Sequence, residues 1–219
     1  MDRLSDAAQA RAQGVAERWH RPSERRAAEV ARSGASVRAT AAVEVRAKDD
    51  DTGKLTFHGV ASVTERGYEM WDFFGPYVEV IAADAFDEAL ARADLDVPLV
   101  LGHDSMRRIA RTTNGTLTLS VTGEGLDVLA ELDPADADVA YIVPKLRSGL
   151  VDEMSFMFRI DAGQWSPDYT EYRITKVDIH RGDVAIVGYG ANPATSAELR
   201  KAPAAPDLRA ALLSLAIAR

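Results

Sequence analysis

Val151-Asp-Glu-Met-Ser-Phe-Met-Phe-Arg-Ile160 is the stretch from which the rest of the chain can be read. Met154, Phe156, Phe158 and Ile160 recur with period two, so a β-strand puts them on one face. Ser155 and Met157 then point to the opposite face. A small hydroxyl between large apolar neighbours is either a filler serine on a sheet or a nucleophile held by a rigid strand. The stretch alone leaves both readings open.

Outward from this strand the pattern is one of β-structure. On the N-terminal side, Val37, Val43 and Val45 suggest a first strand, and Leu55, Phe57, Gly59, Ala61 and Val63 alternate as a half-buried one. A loop through Gly67, Trp71, Phe73, Phe74, Gly75 and Pro76 leads to a short strand over 77–81. Asp84 is placed to cap a helix over 85–93, with Phe86, Ala89 and Leu90 on one face. Val97 to Leu101 is a compact apolar strand ending in Gly102-His103-Asp104, and the polar run 107–113 leads into another. Leu117, Leu119 and Val121, then Leu126, Val128, Ala130 and Leu132, alternate about Gly123-Glu-Gly125, a hairpin signature. Asp133-Pro134 opens a helix carrying Val139, Ile142, Val143 and Leu146, bent by Pro144 and closed by Ser148-Gly149. Beyond the Ser155 strand, 172–177 and 183–187 read as two further strands.

About eight strands joined mainly by turns imply an α+β fold. The expected architecture is a mainly antiparallel β-barrel of about 7–8 strands flanked by helices. Residues 1–36 differ. They are rich in Ala, Arg and Glu, and Leu4, Val15 and Trp19 are too sparse for a buried stripe. They are expected to be a basic arm, helical or disordered, either solvated or able to bind an acidic partner surface. Residues 37–197 form the folded domain, and 198–219 a linker and short C-terminal helix.

Composition narrows the function. The 219 residues contain no cysteine, which excludes disulfides, thiolate metal sites and a Cys nucleophile. The net charge of -8 argues against nucleic acid as a partner. No apolar run approaches a membrane span or a signal peptide, so no membrane and no secretion are expected. His103-Asp104 has no further His at metal-ligand spacing, so no metal and no cofactor are expected. Of the four histidines, His20 lies in the arm, His58 within a strand, His103 at a strand end and His180 before a strand. Nucleophilic catalysis by Ser needs a base in reach and a third group orienting that base, and the three need not be close in sequence.

Six segments, in order, resemble the prohead maturation protease family of tailed phages, serine proteases related to herpesvirus assemblin. They are Phe57-His-Gly-Val-Ala-Ser62, Val80-Ile-Ala-Ala-Asp-Ala-Phe86, Val100-Leu-Gly-His103-Asp104, Glu124-Gly-Leu126, Met154-Ser155-Phe156-Met157-Phe158, and Asp183-Val-Ala-Ile-Val-Gly-Tyr-Gly-Ala191-Asn-Pro193. The resemblance covers roughly residues 40–197. It implies an assemblin-like fold with Ser155 as nucleophile and His103 as general base. Asp183 is the third member that it favours, with His180 as the alternative. These two are three residues apart, so on a regular strand at most one faces His103. Backbone near Ser155, Arg111 or Arg159 would supply donors to the oxyanion. Met157 stands where the family commonly has Gly, and Glu153 where a small residue is usual.

The function implied is a serine endopeptidase of phage procapsid maturation. It would act in the host cytoplasm inside the assembling procapsid, on major capsid protein or scaffold arms and on itself, as a homodimer. A non-catalytic assembly or scaffold protein that retains the fold is the alternative.

Overall fold

The apolar and alternating segments of the sequence become strands, and these form two sheets facing across one core. The computed structural model describes residues 3–17, 24–25, 44–47 and 53–188, the backbone alone at 15–17, 24–25 and 44–47. The helices are α1 (Arg3–Glu17), α2 (Asp87–Leu90) and α3 (Ala137–Arg147). The strands are β1 (Glu24–Arg25), β2 (Glu44–Ala47), β3 (Leu55–Val63), β4 (Tyr68–Asp72), β5 (Gly75–Ile81), β6 (Pro98–Leu101), β7 (Asp104–Arg111), β8 (Leu117–Val121), β9 (Gly125–Leu132), β10 (Glu153–Trp165) and β11 (Glu171–Val187). Most of residues 18–36, His20 among them, and all of 198–219 lie outside the described residues.

The fold is α+β and strand-rich, but the sheets do not close into a barrel. One sheet runs β1-β10-β11-β5-β4, with β6 paired to β11 and β7 to β6; the other runs β2-β3-β9-β8. The described residues hold eleven strands rather than about eight. The loop expected before residue 77 contains β4, whose buried Tyr68 and Met70 alternate with exposed Glu69 and Trp71. That alternation is hidden between Gly67 and an aromatic turn. The two strands expected over 172–187 are one, β11. It pairs antiparallel with β10 but parallel with β5 and β6, through partners far apart in sequence.

Both helices of the domain start later than expected. α2 begins at Asp87 without a side-chain cap, so Asp84 does not cap it. α3 is capped by Asp136, whose carboxylate accepts from the Asp138 and Val139 N–H groups, and not by the earlier Asp133-Pro134. Its Val139, Ile142, Val143 and Leu146 are buried. The core takes Phe57, Leu126, Val128 and Leu132 from the smaller sheet and Met154, Phe156, Phe158, Val184 and Ile186 from the larger. Gly59 lets the sheets approach: a Cβ there would lie 2.5 Å from the Met154 sulfur.

Candidate active site

Cross-strand register decides which residues share the second face of the larger sheet. Directly paired residues point the same way. Ser155 pairs with Ala185 and Met157 with Asp183, while Ala185 pairs with Val100 across the parallel ladder. Ser155, Asp183, Ala185 and Val100 therefore lie together, opposite the core-facing Met154, Phe156, Val184 and Ile186. Val100, Ala185 and Val187 form a small buried apolar cluster of their own, separate from the main core. Asp183 and Ser155 stand on this apolar floor.

His103 comes to the same face through a tight turn. β6 and β7 are joined by Gly102 and His103 alone, with Leu101 paired to Asp104. Both turn residues have positive φ, 62° and 59°. That is the backbone of a type I′ hairpin turn, which matches the natural twist of the strands. Gly takes such a conformation freely, whereas His is strained there by about 1–2 kcal/mol. The Gly102 N–H is also held by the Ile186 carbonyl at 2.8 Å, which ties the turn to β11. From this turn His103 Nδ1 meets Asp183 Oδ1 at 2.7 Å. Side-chain exposure is 10% for His103 and 3% for Asp183, so little water competes for the bond.

Asp183 is delivered by an irregularity in β11. Between the pairs Met157↔Asp183 and Arg159↔Asp178, the single residue Phe158 faces four, 179–182. Ile179 stays in the core with Phe158. His180, Arg181 and Gly182 form the surplus, and Arg181 adopts φ 61°. The segment before β6 grips this bulge from both sides. The Asp96 N–H donates to His180 Nδ1 at 3.3 Å, and the Arg181 N–H donates to the Asp96 carbonyl at 2.8 Å. Asp96 is itself fixed by two 2.6 Å bonds from Arg111. Those bonds hold its carboxyl below the ordinary Asp range. Burial pushes the Asp178 carboxyl up, but the Arg159 guanidinium and the His180 N–H outweigh it and leave it below its ordinary value.

The structure thus brings His103 and Asp183 together and puts Ser155 on their face. His180 is engaged elsewhere, with Nδ1 accepting from the Asp96 backbone. His103 Nε2 is buried and has no hydrogen-bond partner, so no His103–Ser155 bond is formed. Ser155 is itself only 3% exposed. Arg111 and Arg159 each hold a carboxylate, Asp96 and Asp178. His58 forms a second His–Asp pair, with Asp127 at 2.7 Å, on the more open sheet. Among the described residues no group of three or more His, Asp or Glu is placed to hold a metal ion. None of their helices is long and apolar enough to cross a membrane.

What sequence reasoning missed is the Asp96–Arg111 clamp. Asp96 opens the apolar run that leads to His103, but nothing in the pattern ties it to residues 180 and 181.

A family model described as caudovirus prohead serine protease matches residues 41–207, well over half of the chain. No curated protein and no solved structure gives a significant match.

Proposed function

The chain belongs to the caudovirus prohead serine protease family, and from that premise we propose that it is a serine endopeptidase of procapsid maturation using Ser155, His103 and Asp183. Membership of the family supports a serine peptidase with a role in capsid maturation. In the proposed mechanism Ser155 Oγ attacks the scissile carbonyl, and His103 Nε2 takes the hydroxyl proton and returns it to the leaving amine. Asp183 holds the Nδ1–H, fixing the tautomer and stabilising the imidazolium. The observation that carries this reading is the 2.7 Å bond between His103 Nδ1 and Asp183, which leaves Nε2 as the working nitrogen on the face of Ser155. Apo catalytic hydrogen bonds are commonly long and tighten with substrate. The substrates we propose are capsid-protein or scaffold arms and the chain's own termini, cut by a homodimer.

One observation favours a second reading, a non-catalytic assembly protein that keeps the fold: Ser155 is 3% exposed and makes no bond to His103. A substrate carbonyl reaches its Oγ only after a local opening. Wild type and Ser155→Ala, incubated alone and with the cognate capsid protein, separate the two readings. Endopeptidase activity predicts shortened masses and fluorophosphonate labelling at Ser155 in the wild type alone. Absence of both, with capsid protein present, supports the assembly role. Equal shortening of the two proteins identifies a contaminating protease.

A further inference from the structure

Arg11 is fully buried, although α1 lies outside the span matched by the family model. Its guanidinium enters a socket formed by the β4–β5 hairpin and the β10–β11 turn. Nε donates to Asp72 Oδ2 at 2.7 Å and Nη2 to Asp72 Oδ1 at 2.9 Å, a bidentate fork. Nη2 also donates to the Gly75 and Pro76 carbonyls at 2.7 and 2.9 Å, and Nη1 to the Tyr169 carbonyl at 3.2 Å. The guanidinium carbon lies 5.1 Å from the Tyr77 ring centroid and 5.0 Å from that of Trp165. The socket therefore matches charge, planarity and length at once. A lysine's point charge reproduces neither the fork nor the stacking.

The helix face around Arg11 is small by design of sequence, not by chance of exposure. Ala7, Ala8, Arg11 and Gly14 share one side of α1 at helical spacing. A Cβ on Gly75 would lie 2.9 Å from the Ala7 Cβ, and a Cβ on Gly14 would lie 2.5 Å from the Phe74 ring. Bulk on either side would lift the helix and withdraw the arginine. The receiving carboxylate is fixed by the body itself. Asp72 Oδ1 also accepts the Phe74 and Gly75 N–H groups at 2.9 and 3.1 Å, which pins it in the β4–β5 turn.

We propose that this socket is a peptide-binding exosite, distinct from the Ser155 face, for a helix whose docking face is small but for one arginine. Its resident ligand is residues 3–17 of this chain. Trp165 and Tyr169 stand at the opposite end of β10 from Ser155, so filling the socket does not occupy the candidate active site. The segment is a separable ligand: it stays on the body through the socket when the chain between Glu17 and β3 is cut. The inference holds whether or not Ser155 is a nucleophile.

The test uses full-length Ser155→Ala protein with a site for a sequence-specific protease inserted among residues 18–23 and a fluorophore at the N-terminus. After cutting, the labelled helix is expected to co-elute with the body at micromolar concentration. Excess synthetic peptide 1–17 is expected to displace it, with the Arg11→Lys peptide at least tenfold weaker and Arg11→Ala at least a hundredfold weaker. Separation of the helix on cutting, or equal competition by the Arg11→Ala peptide, overturns the proposal. A second measurement needs no cutting. Uncut Arg11→Ala protein, its socket empty, is expected to bind labelled wild-type peptide at least tenfold more tightly than uncut wild type does. Equal binding to the two proteins overturns it as well.

Discussion

Gly182→Ala isolates the step by which β11 presents Asp183. A Cβ at position 182 would lie 1.9 Å from the Met157 carbonyl oxygen and 3.0 Å from that of Ile179. Both are backbone atoms, so no side chain can swing aside. Reaching ordinary van der Waals separation takes a shift of about 1.5 Å. The shift falls on the residue joined to Asp183 and on the residue paired with it. Overpacking of this kind costs about 1–3 kcal/mol, a fall in Tm of roughly 3–10 °C for a domain of this size. The chemical penalty is larger. A 1 Å misplacement costs about 100-fold, and loss of the orienting acid approaches 10,000-fold. The expected result is a folded protein whose fluorophosphonate labelling at Ser155 slows by roughly 100- to 10,000-fold. Asp136→Ala supplies the control, since it removes the N-terminal cap of α3 and alters neither strand of the bulge. Wild-type labelling by folded Gly182→Ala would refute the argument that the bulge fixes the orienting acid.

Asp136→Ala removes the acceptor for the Asp138 and Val139 N–H groups and is expected to cost about 1 kcal/mol in urea unfolding, with labelling unchanged. Gly102→Ala meets no atom within 4 Å, so its cost is the φ of +62° alone, about 1–2 kcal/mol by the same measurement. Acid titration of stability tests the Asp96–Arg111 pair. The carboxyl is held below its ordinary value by the Arg111 hydrogen bonds, so its contribution is present above the unfolded pKa of about 3.9 and is lost as pH falls through the lower folded value. Arg111→Gln is expected to flatten that acid limb, and only slightly, because the pair is partly open to solvent.

Regular alternation was legible because it reports burial directly. β3, the β8–β9 hairpin and the core face of β10 follow from period two, and β6 from a continuous apolar run that is buried throughout. Sheet organisation was not, since the parallel pairs of β11 with β5 and β6 join segments whose partners no local pattern names. With those pairs β11 sits inside a branched open sheet, and the hairpins do not close a barrel. The segments 172–177 and 183–187 read as two strands in the sequence, with Arg181-Gly182 between them, and β11 spans both. Locally Arg181-Gly182 does behave as a turn, with φ 61° at Arg181, but the ladder resumes at Asp183. The face of α1 escaped for a different reason. Hydrophobic periodicity searches for Leu4, Val15 and Trp19, whereas the buried residues are Ala7, Ala8 and Arg11, with the arginine as the largest buried side chain. Ser155 stands out as a small hydroxyl between large apolar neighbours and His103 as a polar residue at the end of an apolar strand, and both are local features. Their relative position depends on a turn and a bulge, which periodicity cannot detect.

The choice between Asp183 and His180 turns on that bulge. Three residues apart on a regular strand, they would face opposite ways and both lie within the ladder. With three surplus residues in β11, parity no longer separates them, and the local partners do. His180 accepts from the Asp96 N–H and serves as a strut, and Arg181 completes the grip through the Asp96 carbonyl. Asp96 also begins the run into β6, the strand that leads into the Gly102-His103 turn. One clamp therefore sets both the bulge before Asp183 and the start of the strand leading to His103. Left-handed backbone at His103 and Arg181 costs roughly 1–2 kcal/mol each and persists only where surrounding structure over-determines it. Strain at both approaches to one 2.7 Å bond is better explained by a need for that bond's geometry than by sheet stability, which a regular ladder would serve without it.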